Sequence, residues 1–401
     1  MIKKVRKINR YLPYSRQKLD RLDIGEVVKV LKSNFITQGP EILNFEKNFS
    51  KYVGAKFAAV CATGTAALHL SCMALGIKKN DNVATSSITF VASANCSEFV
   101  GANTHFIDID KDTYCISPES LEKELKKRKI NLVIVVHLCG HSADMKKIYQ
   151  LKKKYKFFII EDACHALGGS YENKKIGSCE YSDLSTFSFH PVKPITSGEG
   201  GMITTNNKKL FEKIINLRTH GIHKNSNTFM NKKLAFDKNG QVNRWYYEMS
   251  DLGYNYRITD IQAALGNSQL KKVDKFTNKR LQFAKLYNRG FKSNNLIKTP
   301  IIKKNVQHAF HLYTLLINFK KLGKTRNKVM SELSNLKIGT QVLYIPVFLQ
   351  PYYANKYNYK SYNFKNSMKY YKDALSIPIF PDLKKKEINF VISKINEIIK
   401  I

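Results

Sequence analysis

The chain has 401 residues, of which 43% are hydrophobic and 24% are charged. These values are typical of a soluble globular protein and exclude a collagen-like or wholly disordered chain. The 67 Lys and Arg residues exceed the 31 Asp and Glu residues, so the formal net charge is +36. Most of these cations are lysines. A surface that recognises phosphates and bases would favour arginine, whose planar guanidinium binds them through two hydrogen bonds. The charge therefore predicts attraction of an anionic ligand and does not by itself indicate nucleic-acid binding.

The cysteine pattern and the N-terminal stretch predict a cytoplasmic location. Seven cysteines form no CxxC pair, and most lie in apolar segments, as buried free thiols do. Such usage is typical of a reducing compartment. The basic stretch Met1 to Arg10 lacks the apolar core of a signal peptide. We find no apolar run of the ~18 residues that a membrane span requires.

The first two-thirds of the chain alternates short apolar runs with amphipathic stretches. This alternation predicts a mostly parallel sheet wrapped by helices, an α/β fold whose ligands gather at the carboxyl ends of the strands. The predicted strands are Phe57–Cys61, Asn82–Ser86, Thr104–Ile109, Leu132–Val136 and Phe157–Glu161. The predicted helices between them are Gly64–Leu75, Thr89–Val100, Pro118–Lys127 and Ala143–Tyr155.

After Tyr254 the pattern changes, which indicates a second, smaller α+β domain. We predict a large domain over 15–275 and a small C-terminal domain over 276–401 that includes the N-terminal segment 1–14. The predicted strands of this region are His311–Ile317 and Thr340–Ile345. The predicted helices are Thr259–Leu270, a long helix that follows it and ends at about Phe291, Gly323–Leu336 and Lys385–Ile399.

Lys193 follows an apolar strand-like run and is bracketed by Pro191 and Pro194. A stiff loop of this kind can hold an amine at a strand end, away from bulk water. Partial desolvation lowers the ammonium pKa and makes the amine available as a nucleophile or base. Taken alone, a lysine in a turn is more often a plain surface residue.

Asp162 lies where the apolar run Phe157–Glu161 ends. An aspartate in this position is either a helix cap or a carboxylate at the carboxyl edge of the sheet. In the second case it can keep the ring nitrogen of an aromatic cofactor protonated. A third segment, Cys61–Leu68, runs from a strand through Thr63-Gly64-Thr65 into a helix, which is a weak phosphate-binding signal.

These three segments, in this order, resemble the sugar aminotransferases of the DegT/DnrJ/EryC1/StrS family. The resemblance extends over nearly the whole chain. It is carried by Leu12–Asp20, Ile36–Pro40, Thr89–Asn95, His137–Met145, Trp245–Glu248, Leu252–Gly266, Tyr344–Tyr353 and Ala374–Pro381. It implies a fold-type I aminotransferase that uses pyridoxal 5′-phosphate (PLP).

The resemblance also implies a role for each matching residue. Lys193 matches the lysine that holds PLP covalently, and Asp162 matches the carboxylate that pairs with the pyridine nitrogen. The remaining cofactor positions are His165 near the ring, Phe90 stacked on the ring, Gly64, Thr65 and Ser188 at the phosphate, and Asn255, which would reach the phosphate of the neighbouring subunit. A homodimer with shared active sites is therefore expected.

Three segments most resemble one branch of the family, namely Trp245–Glu248, Tyr254–Arg257 and Leu349–Tyr353. That branch implies transfer of an amino group from L-glutamate to C4 of a UDP-4-keto-6-deoxy-N-acetylhexosamine on the way to pseudaminic acid. The substrate residues that it implies are Tyr14, Thr37, Gln38, Arg257 and Tyr344. The chain departs from the family pattern at Leu343 and Phe348, where histidine is frequent, and at Cys139 and His141, which bears on the choice of sugar.

Several alternatives stay open at this point. Another nucleotide-sugar aminotransferase, acting on a GDP-linked or dTDP-linked sugar, would share the same cofactor residues. Some relatives were first regarded as sensors or DNA-binding regulators, and the charge of +36 suits an anionic polymer. A PLP-dependent sugar dehydratase would carry histidine in place of Lys193. A metal site at His137, Cys139 and His141 lacks a fourth ligand, so we predict no metal.

Overall fold

The computed structural model describes residues 9–400. Part of the predicted N-terminal segment, residues 1–8, lies outside the described residues, as does Ile401. The helices are α1 (Arg21–Leu31), α2 (Pro40–Val53), α3 (Gly64–Ala74), α4 (Ala92–Phe99), α5 (Pro118–Lys127), α6 (Met145–Tyr155), α7 (Lys208–Arg218), α8 (Lys232–Ala235), α9 (Asp260–Leu270), α10 (Val273–Phe291), α11 (Phe319–Leu322), α12 (Arg326–Asn335), α13 (Pro351–Tyr357), α14 (Lys365–Asp373) and α15 (Lys385–Ile398).

The strands of the large sheet are β1 (Phe57–Cys61), β2 (Asn82–Ser86), β3 (Asn103–Ile107), β4 (Leu132–Val136), β5 (Phe158–Asp162), β8 (Leu184–Ser188) and β9 (Gly201–Thr205). The remaining strands are β6 (Ser170–Tyr171), β7 (Lys174–Lys175), β10 (Ile222–His223), β11 (Glu248–Met249), β12 (Ile297–Lys298), β13 (Val306–Gln307), β14 (Tyr313–Ile317) and β15 (Ala374–Ile377).

The large sheet has seven strands in the order β1-β9-β8-β5-β4-β2-β3. Neighbouring strands from β8 through β5, β4 and β2 to β3 are parallel, whereas β9 is antiparallel to both of its neighbours. Most side chains of these strands are buried on both faces, because helices cover the sheet. The predicted α/β fold with a mostly parallel sheet is confirmed.

The second core is formed by the antiparallel sheet β12-β14-β15 and the helices that cover it. Leu12 of the N-terminal segment packs into this core, and its N–H donates to Lys337 O at 2.8 Å. Helix α10 joins two cores, because Val273 packs in a core on the large sheet and Tyr287 packs in the second core. The predicted boundary at 275/276 stays a prediction, and it falls inside this helix.

Two predicted elements of the C-terminal region are wrong in extent or type. Residues 340–345 contribute a single bridge, Gln341 to Ser376, and no strand. The predicted helix over 323–336 begins only at Arg326, because Gly323 is left-handed (φ +69°) and the Thr325 side chain caps α12. Among residues 9–400, no helix is both long enough and apolar enough to cross a membrane.

Candidate active site

A cavity of about 470 Å³ opens at the carboxyl edge of the large sheet. The ends of β4, β5 and β8 and the first turn of α3 form its floor, as expected for an α/β sheet. The site residues predicted from sequence that line it are Tyr14, Gly64, Thr65, Phe90, Asp162, His165, Ser188, Lys193 and Tyr344. The cavity therefore assembles nine predicted residues from segments far apart in the chain.

Four predicted residues lie outside this cavity. Thr37 pairs with Thr259 just before α9, and Gln38 is exposed beside it. Arg257 and Asn255 lie on the segment that leads into α9, where Asn255 pairs with Thr219 and is exposed. The roles of these four residues stay predictions, and a contribution to this cavity would have to come from a neighbouring copy of the chain.

Asp162 ends strand β5 as a buried carboxylate held from two sides. Ser93 Oγ donates to its Oδ2 at 2.6 Å, and the N–H of Cys164 donates to its Oδ1 at 3.2 Å. Thr89 and Ser93 are hydrogen-bonded through their hydroxyls at 2.8 Å, which fixes the rotamer of Ser93. These two donors hold the carboxylate in a fixed direction.

Lys193 lies in a closed loop between β8 and β9. The loop is closed by the N–H of Phe189, which donates to Gly200 O at 2.8 Å, and Lys193 N donates to His190 O at 2.9 Å. Ser15 Oγ donates to Val192 O at 2.9 Å and ties the loop to the N-terminal segment. Burial lowers the pKa of the Lys193 ammonium, while nearby Cys164 and Asp162 act in the opposite direction. The amine is thus held at the cavity wall in a state that favours deprotonation.

The first turn of α3 approaches strand β8 without room for a side chain. A Cβ on Gly64 would lie 2.7 Å from Ser188 Cβ, so glycine is required there. Thr63 caps the helix, and its side chain accepts from the N–H of Ala66 at 3.0 Å. The N–H groups at the start of this helix and the Ser188 hydroxyl together form a small corner that suits an anion.

Aromatic rings cover the opposite wall. Phe90 is 52% exposed although it lies at the cavity. Its ring centroid is 5.9 Å from that of Tyr344, and Tyr344 is stacked at 6.0 Å and 22° on His165. The Tyr344 hydroxyl lies 3.2 Å from His165 Nε2, whereas His165 Nδ1 is buried without a partner among residues 9–400. The exposed face of Phe90 is free to stack on a planar aromatic ligand in the cavity.

The residues present fit PLP. The anion-binding corner at Gly64 and Ser188 suits the phosphate, and the exposed face of Phe90 suits a flat ring. Asp162 suits a cationic ring nitrogen, and Lys193 suits an aldehyde carbon. The cavity thus offers a matching group for each chemical part of the cofactor.

Thr63, which belongs to the predicted phosphate-binding turn, also lines the cavity. The lining residues that were not predicted as site residues are Leu68, Thr89, Ala92, Val136, Cys164, His190, Val192 and Glu199. Ser93, which orients Asp162, lies inside the Thr89–Asn95 segment, so that segment held the signal. Of the positions that depart from the family pattern, Leu343 lines the cavity, whereas Phe348 stacks on Phe364 with ring centroids 4.2 Å apart.

The three residues weighed as a metal site point to different partners. His137 Nε2 lies 2.7 Å from Glu161 Oε2, Cys139 Sγ lies 3.5 Å from Thr314 Oγ1, and His141 Nε2 accepts from Lys303 N at 3.2 Å. Within the part of the chain that the structure describes, no group of three or more His, Cys, Asp or Glu side chains is arranged to hold a metal ion.

Comparison with known proteins identifies the family of the chain. The model of the DegT/DnrJ/EryC1/StrS aminotransferase family matches residues 17–396. The Bacillus subtilis spore coat polysaccharide biosynthesis protein SpsC is 38% identical, covering 99% of both chains. The UDP-4-amino-4,6-dideoxy-N-acetyl-β-L-altrosamine transaminase of Campylobacter jejuni is 39% identical, covering 95% of both chains. The GDP-perosamine synthase of Escherichia coli O157:H7 is 30% identical, covering 97% of this chain and 98% of its own.

Solved structures show the same fold. Helicobacter pylori PseC, an aminotransferase of pseudaminic acid biosynthesis, superposes with a TM-score of 0.87 at 30% identity, covering 97% of this chain and 99% of its own. The PLP form of the sugar aminotransferase Spr1654 from Streptococcus pneumoniae superposes with a TM-score of 0.85 at 26% identity, covering 97% and 98%. The family match over almost the full length and the cavity described above lead to one conclusion: this chain belongs to the DegT/DnrJ/EryC1/StrS aminotransferase family, and it is a PLP-dependent sugar aminotransferase.

Proposed function

We propose that this enzyme transfers the amino group of L-glutamate to C4 of a UDP-linked 4-keto-6-deoxy-N-acetylhexosamine, and that its product is UDP-4-amino-4,6-dideoxy-N-acetyl-β-L-altrosamine. The observation that carries the chemistry is the placement of Lys193 and Asp162 in one cavity at the edge of the sheet. The choice of sugar is supported by the 39% identity to the Campylobacter jejuni transaminase and by the likeness to PseC.

When bound, PLP supplies an aldehyde that takes up amino groups and a ring that withdraws electrons. In this proposal Lys193 Nζ holds the cofactor and carries protons at the reacting carbon, for which a lowered ammonium pKa is suited. Asp162 holds the ring nitrogen in its protonated form. Phe90 and the stacked pair of Tyr344 and His165 orient the ring and keep water from its faces.

Substrate contacts within the cavity are assigned to Tyr14 and Tyr344. Tyr14 is half-buried at the cavity, and burial raises the pKa of its hydroxyl, so it stays a hydrogen-bond donor at neutral pH. Thr37, Gln38 and Arg257 lie outside the cavity of their own chain, as does Asn255. We infer that they act on the site of a neighbouring subunit, and that Asn255 reaches the cofactor phosphate there.

A homodimer is supported by the exposed apolar side chains of the same region. Trp245, Met249 and Leu252 are 74%, 61% and 76% exposed, and Tyr254 next to Asn255 is 36% exposed. Exposed apolar residues this dense along one segment are typical of a protein interface. A cytoplasmic location is part of the proposal, since the free thiols fit a reducing compartment.

The test is a substrate panel with L-glutamate as donor and UDP-, GDP- and dTDP-linked 4-keto sugars and 3-keto sugars as acceptors, with products read by mass spectrometry. We expect the highest kcat/KM with the UDP-4-keto-6-deoxy-N-acetyl sugar, and a gain of one amino group at C4. Preference for a GDP-linked acceptor would overturn the UDP assignment and favour a perosamine-type activity, to which the 30% identity to the E. coli enzyme points. Amination at C3 would overturn the assignment of the position.

A further inference from the structure

Two tyrosine rings flank Asn255 and stack on each other. The ring centroids of Tyr254 and Tyr256 lie 5.0 Å apart with an interplanar angle of 17°. Asn255 itself forms an antiparallel bridge with Thr219, as extended backbone does. In an extended segment, two side chains that share one side leave the side chain between them on the other side. Asn255 is accordingly exposed, and the stacked rings set the direction in which it leaves the surface.

The stacked pair packs against the buried ring of His69 from helix α3. His69 is 4% exposed, and its ring centroid lies 5.1 Å from that of Tyr254 and 5.9 Å from that of Tyr256, in edge-to-face contacts at 62° and 63°. Its Nδ1 atom lies 3.1 Å from Tyr256 Oη, which is hydrogen-bond distance. Burial lowers the pKa of the His69 ring and raises the pKa of the Tyr256 hydroxyl, so the bond joins two neutral groups at pH 7. One imidazole thus contacts both rings that flank Asn255.

The backbone on either side of Asn255 is fixed as well. The N–H of Ala62, in the turn between β1 and α3, donates to Tyr256 O at 2.8 Å. Gly253 approaches the loop before β10 so closely that an added Cβ would overlap Gly221 N. Because the backbone is held on both sides, the direction of the Asn255 side chain depends on the stacked rings beside it.

Packing alone does not require a histidine at position 69. The other buried side chains of α3 are small or apolar, and a leucine or phenylalanine would fill the same space. A hydrogen bond adds direction to this contact, because it fixes the Tyr256 ring relative to α3. The same helix begins at Gly64, in the anion-binding corner, about one and a half turns before His69. Helix α3 therefore contacts both the cavity of its own chain and the segment that carries Asn255.

We propose that His69 is a positioning residue of the aminotransferase reaction, which acts through Tyr254 and Tyr256 to direct Asn255 into the active site of the neighbouring subunit. Helix α3 then serves two sites, because its first turn binds the cofactor phosphate of its own chain while His69 supports the asparagine that reaches the other site. The proposal rests on the role given above to Asn255 in a neighbouring subunit. It adds that a change at position 69 of one chain weakens cofactor binding in the site of the other chain.

The first test measures PLP binding to cofactor-free protein and needs no substrate. Wild type, His69→Ala, His69→Phe and Tyr256→Phe are titrated with PLP and followed by absorbance. We expect the Kd for PLP to rise about fivefold in His69→Phe and in Tyr256→Phe, which is the effect of one neutral hydrogen bond. The double variant His69→Phe/Tyr256→Phe should show no further rise, because both changes remove the same bond.

Ser71→Ala on the same helix is the control for the first test. The Ser71 hydroxyl is buried and donates to Ala67 O at 2.7 Å. Its loss should leave the Kd for PLP unchanged. A rise in the control equal to that in His69→Phe would make the effect a general one of disturbing α3 and would overturn the proposal.

The second test compares two mixed dimers that contain the same two changes, Lys193→Ala and His69→Ala, and that are isolated through two different affinity tags. In the split dimer each chain carries one change, whereas in the joined dimer one chain carries both and the other is wild type. Each dimer has one site with an intact Lys193. In the split dimer that site receives Asn255 from a chain with an intact His69, and in the joined dimer it receives Asn255 from the changed chain.

We expect the intact-lysine site of the joined dimer to bind PLP with a Kd about fivefold or more above that of the split dimer. Equal values would overturn the proposal. Weaker binding by the split dimer would overturn it too, since His69 would then act on the site of its own chain. His69→Phe takes the place of His69→Ala in both dimers if the alanine variant fails to fold.

Asn255→Ala, placed in the same two arrangements, tests the shared site itself. Weaker binding by its joined dimer, with no difference between the two His69→Ala dimers, would refute the role of His69 and leave the shared site standing. No difference for either change would refute the shared site and the role of His69 together. Neither measurement uses a sugar, so failure of the proposed sugar assignment would appear in the acceptor panel alone.

Discussion

Ser93 Oγ donates to Asp162 Oδ2 at 2.6 Å, across 69 residues of sequence. The bond joins the first turn of α4 to the end of β5. A second hydrogen bond, between the hydroxyls of Thr89 and Ser93, holds the Ser93 hydroxyl in place. Asp162 is therefore oriented before any ligand enters the cavity, which is the condition for a carboxylate that has to meet a ring nitrogen at one fixed point.

The first prediction follows from that bond. Ser93→Ala removes a hydrogen bond to a buried charge, so kcat/KM should fall about tenfold and PLP should be lost faster on dialysis. The matched control is Ser97→Ala on the same helix, since Ser97 bonds to Thr104 and to Ala94 O and not to Asp162. Equal PLP retention in the two variants, followed by absorbance, would contradict the prediction.

The second prediction concerns Lys193. Lys193→Ala should lose turnover by at least about three orders of magnitude while its circular dichroism stays close to wild type. Lys152→Ala, which breaks a surface pair with Asp183, is the control and should keep full turnover. Turnover close to wild type in Lys193→Ala would refute the assignment of the reactive amine.

The third prediction is a dependence of stability on pH. Burial depresses the pKa of Lys193 below the unfolded value of 10.5. Below its folded pKa the lysine must be charged in both states, so it costs the folded, cofactor-free protein stability at neutral pH. As the pH rises from the folded pKa towards 10.5, the unfolded chain binds more protons and this cost disappears. Lys193→Met should thus be the more stable protein at neutral pH, and its advantage should shrink with rising pH in urea titrations. A constant difference would count against a buried amine.

The fourth prediction tests the close approach of α3 and β8. Gly64→Ala places a methyl group 2.7 Å from Ser188 Cβ and should displace the anion-binding corner, so the Kd for PLP should rise about tenfold or more. Gly25→Ala is the control, because nothing lies within 4 Å of its added Cβ in helix α1. That control should leave PLP binding unchanged and should stabilise the protein slightly.

The fifth prediction addresses the shared site. Asn255→Ala should weaken PLP retention although Asn255 lies outside the cavity of its own chain. When Lys193→Ala and Asn255→Ala chains are co-expressed, a mixed dimer has one site with both changes and one with neither. Activity should therefore exceed that of either variant alone. No gain in a preparation shown to contain mixed dimers would contradict the shared site.

The strands of the sheet were predictable because their signals are local. Short strand-like segments predicted Phe57–Cys61, Asn82–Ser86 and Leu132–Val136 with the bounds that the structure has. Strand β9 was not predicted, because Gly201–Thr205 begins with a glycine and runs antiparallel to its neighbour β8. The reversal depends on pairing with β1 and β8, which no single segment encodes.

The site was predictable only in part for a similar reason. Lys193 and Asp162 each have a local context that suggests chemistry. The contact of Tyr344 with His165 spans 179 residues, and the pair of His165 and His311 depends on where β14 begins relative to β5.

Helix α10 belongs to both hydrophobic cores, and the walls of the cavity come from Tyr14 near one end of the chain and Tyr344 near the other. The enzyme therefore cannot be dissected into a catalytic fragment and an accessory one. A chain cut at residue 275 would sever α10 within its first turn and would lose Tyr344, so we expect such a truncation to abolish both the folded cavity and the activity.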